Sequence, residues 1–186
     1  KDKITFLKDS ILNIDLLERE MKEIDGVFHQ AALASVQDSF SKPEEYHDVN
    51  VNGTENILRL AKKYNLRVIE DCAQSQGAKF SNKFVGTFGD FGCFSFYPTK
   101  ILGAYGDGGF IITNNFNLYE KIKRIRFYGI ETNNKKNKFY NEYYANENGV
   151  NSRLDEIQST ILNLKIPLVN TFIKKRRILA KIYLDQ

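Results

Sequence analysis

The chain has 186 residues and 21.5 kDa, with 27 Lys and Arg against 23 Asp and Glu, a net charge of +4, and a composition 42% hydrophobic and 13% aromatic. That supplies a core for a soluble globular protein, and no apolar run approaches membrane length or forms a signal peptide, so a cytoplasmic location is expected. The basic clusters Lys121 to Arg126, Lys135 to Lys138 and Lys174 to Arg177 read as helix faces and a polar loop rather than a nucleic-acid surface, and Cys72 and Cys93, without metal-ligand spacing, read as core thiols.

Ile4 to Leu7 is a short apolar strand candidate, and Ile14 to Ile24 has helical apolar spacing with Asp15 in its first turn. Val27 and Phe28 begin a second strand candidate, giving a β-α-β rhythm. Asp38 to Tyr64 carries a long helical pattern that Pro43 can start, with Gly53 and Thr54 marking a close-packing spot. Three stretches here, D-G-V-F-H-Q-A-A-L-A-S-V, S-F-S-K-P-E-E-Y and N-V-N-G-T-E-N-I-L, make residues from about Lys3 to Leu66 resemble the middle of an extended short-chain dehydrogenase/reductase, the group of NAD-dependent nucleotide-sugar epimerases and dehydratases. The resemblance implies that Ala31 and Ala32 let NAD approach the backbone and that Asn50 faces the cofactor cleft. Two expected signatures are missing, however: the G-x-x-G-x-x-G phosphate turn and the Y-x-x-x-K catalytic pair. Tyr119 and Lys123 share the latter spacing by coincidence. NAD is therefore expected only as a vestige.

The register of the sequence changes near A-K-K-Y-N-L-R-V-I-E. Val68 and Ile69 enter a strand that ends in two carboxylates, Glu70 and Asp71, which suits a buried strand presenting an acid at its carboxyl end. Cys93 to Phe96 form another apolar strand, and Pro98 ends it before Lys100, which puts that lysine on a loop. Gly108 to Thr113 is a further strand and Leu118 to Phe127 an amphipathic helix. After a polar loop, Thr132 to Asn148, comes G-V-N-S-R, where Asn151 or Ser152 is a possible helix N-cap. Leu154 to Tyr183 reads as two helices broken at Pro167.

From about Asn65 onward these motifs resemble the DegT/DnrJ/StrS family of sugar aminotransferases, which are fold-type I pyridoxal phosphate (PLP) enzymes. The match is carried by Glu70, Asp71, Ala73 and Gln74, then Gly86 to Asp90, then Ser95, Phe96 and Lys100, then Gly106 to Gly109. The chemistry such a cofactor needs is an amine for its aldehyde and a carboxylate to hold a proton on its ring nitrogen. The resemblance assigns these to Lys100 and Asp71, with Gln74 at the ring side, Ser95 on the phosphate, and Asn151 reaching the cofactor phosphate of the other subunit of a homodimer. It implies a nucleotide-sugar substrate and an amino-acid donor, with no nucleic acid, membrane or metal involved.

The fold expected is α/β: three layers, a mostly parallel sheet with flanking helices, incomplete, ending in a helical C-terminal segment. Its parts are a partial NAD-binding fragment, 1–66, and a partial aminotransferase large domain, 67–186. The chain reads as a hybrid fragment, and the function expected of its larger part is PLP-dependent transamination of a nucleotide-linked keto-sugar. The alternatives are an NAD-binding epimerase-like module and an inactive hybrid.

Overall fold

The computed structural model describes residues 4–130 and 145–185. It divides into two compact units, Lys1–Val68 and Ile69–Gln186. Residues 132–144 of the expected polar loop, and with them the cluster Lys135 to Lys138, lie outside the described residues.

In the first unit, Asn13 starts helix α1 (Ile14–Met21) by accepting the backbone N–H of Leu16 on its side chain, and Asp15 sits in the first turn as expected. The long helical pattern that follows forms in pieces. A short helix α2 (Val36–Ser41), capped by the Ser35 hydroxyl, stops at Lys42, whose backbone leaves the helical region because Pro43 follows it. Pro43 then opens α3 (Pro43–His47), a wide π-type turn spans Asp48–Asn52, and α4 (Gly53–Lys63) completes the run. Met21, Ile57 and Leu60 are buried between α1 and α4, with Ile11, Ile14, Leu17, Tyr64 and Leu66 packed around them. Each of those buried side chains contributes on the order of 1.5–3 kcal/mol. Gly53 sits against the Ile11 side chain, where a Cβ would collide with it, as the close-packing expectation required.

The two strands expected in this unit do not form. Ile4–Leu7 and Val27–Phe28 pair with nothing among the described residues, and Ile4, Phe6 and Phe28 are 92%, 83% and 97% exposed. An apolar run is only compatible with a strand; its N–H and C=O groups need a neighbouring ladder. The β-α-β rhythm is therefore not realised.

The second unit is built on a three-stranded sheet of β1 (Ile69–Asp71), β4 (Phe91–Ser95) and β5 (Gly109–Ile112), in the order β1-β4-β5. β1 and β4 are parallel and β4 and β5 antiparallel. Between the parallel strands runs a hairpin, β2 (Lys79–Phe80) and β3 (Lys83–Phe84), turned through Ser81 and Asn82, both with positive φ as a right-twisted two-residue turn demands. After β5, Asn115 caps α5 (Phe116–Ile125).

The C-terminal part is helical, as expected. It comprises α6 (Glu156–Lys165), a single 3-10 turn at Ile166–Leu168 containing Pro167, and α7 (Val169–Leu184). The cap of α6 is Asp155, which accepts the N–H of Gln158, and neither Asn151 nor Ser152 serves as the N-cap. Phe96, Ala104 and Leu162 form the core that joins α6 to the loop after β4, with Leu102 and Leu154 against it.

Candidate active site

The parallel pairing sets Asp71 opposite Cys93, so both strands point their carboxyl ends the same way. Because side chains alternate along a strand, Asp71, Cys93 and Ser95 share one face of the sheet. Asp71 is exposed at the end of β1, and its Oδ1 accepts the backbone N–H of Ala73 at 3.0 Å. That turn pins one carboxylate oxygen and leaves Oδ2 for another donor. Ser95 ends β4, and its Oγ accepts the N–H of Tyr97 at 3.1 Å. The hydroxyl proton is thus left to donate.

Lys100 follows in a turn closed by its own N–H on the Tyr97 carbonyl at 2.9 Å. It is half-buried and lines a small cavity of about 90 Å³ together with Ala73, Gln74, Gln76, Thr99, Ile101 and Arg176. The segment that follows Asp71 and the loop that carries Lys100 therefore meet. Glu70, beside Asp71 in sequence, faces the other way. Its Oε1 accepts the N–H groups of Phe88 and Gly89, at 2.7 and 2.6 Å, and its Oε2 that of Gly86 at 2.8 Å. Of the two adjacent acids, one ties down the loop after the hairpin and the other remains open.

The loop carrying Lys100 is held by groups far away in sequence. Lys165 Nζ donates to the Gly103 carbonyl at 2.7 Å, Arg176 Nη2 to the Thr99 carbonyl at 3.4 Å, and the Tyr105 N–H donates to Gln158 Oε1 at 2.8 Å. Gly103 is required there, since a Cβ would run into the Pro98 carbonyl. The most enclosed of the restraints is Gln76, a polar side chain 8% exposed that bonds to Ser95 and Leu102. None of these holding residues was expected at the site; Arg176 was read only as part of the basic helix face Lys174 to Arg177. No local signal marks Gln76, whose partners Ser95 and Leu102 lie 19 and 26 residues further along the chain.

Other candidates lie elsewhere. Asn151 forms an antiparallel bridge with Phe127 and accepts from Arg153 Nε at 3.1 Å, and it does not line the Lys100 cavity. Cys72 and Cys93 are free thiols, and burial is the main cause that pushes both up from the ordinary cysteine range; Cys72 takes the core position expected of it, whereas Cys93 is half-buried. An open groove of about 830 Å³ on Phe94, Phe96, Phe110 and α5 includes neither Asp71 nor Lys100.

In the first unit, Ala31 and Ala32 are exposed, and both ends of the Asn50 amide engage the Leu33 backbone, at 2.8 and 2.9 Å. His29 Nε2 lies 2.9 Å from the Thr54 hydroxyl, which itself donates to the Asn50 carbonyl. A dinucleotide lies across the carboxyl ends of parallel strands, and the described residues of this unit provide no such sheet. They do not fit NAD. For PLP the donor chemistry does fit: an amine on a loop, a strand-end carboxylate with one free oxygen and a hydroxyl with a free proton, all at one end of β1 and β4. No cluster of metal-binding side chains occurs among the described residues, and no helix there is long and apolar enough to cross a membrane.

Residues 50–186 match the model of the DegT/DnrJ/EryC1/StrS aminotransferase family, and residues 1–72 match that of the NAD dependent epimerase/dehydratase family. The dTDP-3-amino-3,4,6-trideoxy-alpha-D-glucose transaminase of Micromonospora megalomicea is 42% identical over 130 residues, which are 69% of this chain and 32% of that one. A DegT DnrJ EryC1 StrS aminotransferase from Brucella abortus superimposes with a TM-score of 0.61 at 37% identity, covering 70% of this chain and 33% of that one. The E. coli GDP-4-keto-6-deoxy-D-mannose-3-dehydratase, solved with bound hydrated PLP, does so with a TM-score of 0.64 at 26% identity, covering 71% and 36%. The chain spans about a third to two fifths of the length of the curated relatives it matches.

Proposed function

The chain belongs to the DegT/DnrJ/EryC1/StrS aminotransferase family, and on that premise we propose that residues 67–186 carry the amine-and-acid half of a PLP site for moving an amino group from an amino-acid donor to a nucleotide-linked keto-sugar. The observation that carries this reading is the parallel register of β1 and β4, which brings Asp71 and Ser95 to one face of one sheet end, with Lys100 on the loop immediately beyond.

PLP, when bound, supplies the electron sink that lets a proton leave the carbon next to an amine. The roles of the chain's own residues follow from their surroundings. Lys100 Nζ would hold the aldehyde group of the cofactor and, when freed by the donor's amine, would serve as the base that accepts a proton from the donor carbon in one half of the reaction and as the acid that supplies one to the acceptor carbon in the other. Asp71 keeps a proton on the ring nitrogen through Oδ2. Ser95 would donate its hydroxyl proton to the phosphate, and Gln74, which shares the cavity of Lys100, would contact the ring side. Asn151 serves the cofactor phosphate of a second copy in a homodimer. The free cysteines suit a reducing compartment, in keeping with work in the cytoplasm.

We read the chain as two inherited pieces, 1–66 and 67–186. The division between compact units at Val68 and Ile69, and the overlap of the two family matches at residues 50–72, support that boundary. The epimerase match favours a nucleotide-binding ancestry for the first piece, but we assign NAD no part in the reaction.

The test is covalent capture. The purified chain is incubated with PLP, reduced with borohydride and digested, and the labelled lysine is located by mass spectrometry. Label concentrated on Lys100, and abolished in Lys100→Ala, supports the proposal. Label spread evenly over the surface lysines sinks it and leaves an inactive hybrid as the better description.

A further inference from the structure

We propose that Gln76 is a positioning residue that sets where the Lys100 amine stands relative to the end of β4. This rests on the reading of Lys100 as the cofactor-binding amine and adds to it a residue through which that amine is aimed. The Gln76 side chain is 8% exposed and spends its amide in two directions. Nε2 donates to the Ser95 carbonyl at 2.7 Å and the Leu102 carbonyl at 3.3 Å, while Oε1 accepts the Leu102 N–H at 2.7 Å. Ser95 is the last residue of β4 and Leu102 lies two residues past Lys100. One side chain thereby fixes the distance between the strand that ends at the site and the loop that carries the amine.

The other restraints on this loop are less enclosed, including the exposed bond from the Tyr105 N–H to the Gln158 amide. Lys165 and Arg176 reach it with long cationic side chains, and Arg176 is exposed. The exposed Arg176 contact exchanges readily with water. A buried amide does not, because no solvent replaces its partners. The pattern also requires an amide: two carbonyl oxygens and one N–H face it, so the side chain must donate and accept at once. Leucine does neither, and a carboxylate turns a negative charge on both carbonyls.

The experiment compares the wild-type chain with Gln76→Leu and Gln76→Glu. Two quantities are read: the share of borohydride-trapped PLP found on Lys100, and the rate at which trace acetic anhydride acetylates Lys100 relative to the exposed Lys62. In Gln76→Leu, with its cooperative melt retained, the Lys100 share of trapped label should fall by about five-fold and its relative acetylation rise by about three-fold, as the loop loosens. Gln76→Glu should resemble it at pH 8 and recover part of the wild-type acetylation ratio at pH 5, where a protonated acid again donates to one carbonyl. That pH-dependent recovery is not expected of a side chain that merely fills space. Should Gln76→Leu fail to fold, the pH comparison in Gln76→Glu decides.

Unchanged ratios in Gln76→Leu, or in Gln76→Glu at both pH values, overturn the proposal. A wild-type chain that places no PLP on Lys100 removes the cofactor reading instead, and the acetylation ratios still decide whether Gln76 sets the amine.

Discussion

Glu70 accepts the backbone N–H of Gly89 at 2.6 Å, and through the same carboxylate it also holds Phe88 and Gly86. Its neighbour Asp71 accepts one N–H, that of Ala73. Two adjacent acids thus do different work, which mutation should separate. Glu70→Ala leaves three backbone donors without their acceptor and should cost about 2–3 kcal/mol in urea unfolding. Asp71→Asn should stay within about 1 kcal/mol of wild type, while weakening PLP retention, because the amide cannot hold the ring proton as a carboxylate does.

Gly103→Ala tests the tightness of the Lys100 loop. The added methyl meets the Pro98 carbonyl, and backbone cannot yield as a flexible side chain would. A loss of about 1–3 kcal/mol is expected. Hydrogen exchange should quicken at Ala104, whose N–H donates to the Phe96 carbonyl at 2.7 Å, and leave α1 untouched.

Glu18 and Lys63 join α1 to α4 through an ion pair. The hydrogen bond from Lys63, with its charge, holds the Glu18 carboxyl below its ordinary range, and the hydrogen bond to Glu18 raises Lys63. The signs follow from linkage. The Glu18 contribution is present above the unfolded value of about 4.3 and disappears as pH falls through the lowered folded value. The Lys63 contribution is full below about 10.4 and disappears as pH rises through the raised folded value. Thermal melts of wild type and Glu18→Gln should therefore differ by a small constant amount between those limits and converge outside them. Because both groups are exposed, 1 M salt should erase most of the difference.

The two thiols should be slow. Burial, the largest cause for each, and the nearby Asp71 both raise Cys72 and Cys93, so little thiolate exists at pH 7.5. In the native chain, both should react with a disulfide reagent at least about ten-fold more slowly than glutathione does, and urea should remove the protection. Rapid native reaction at Cys72 would contradict its burial.

Much of the second unit could be read from the sequence because local rules and global packing agree there. Val68 and Ile69 before two acids gave a strand with an acid at its end, although Ile69, expected buried, is 64% exposed because β1 has a partner on one side only among the described residues. Pro98 stopped the next strand before Lys100, and Pro167 broke the C-terminal helices with one 3-10 turn. The first unit was less legible for the converse reason. The helices α1 and α4 carry their own hydrogen bonds, whereas Ile4–Leu7 and Val27–Phe28 need partners that no local pattern can supply. At the site, the family resemblance pointed to Asp71, Ser95 and Lys100, but the fastening of the loop by Gln76, Gln158, Lys165 and Arg176 was not legible. Those contacts join positions that only the folded chain makes neighbours.

Two of those fastenings are separated from their targets by 62 and 77 residues of chain. At roughly 5–20 residues per second, the ribosome delivers Arg176 roughly 4–15 seconds after Thr99. The peptide around Lys100 therefore spends its first moments outside the ribosome without its outer cationic ties, open to proteases and to stray aldehydes, and a stalled or truncated translation product ending before α6 would stay in that condition.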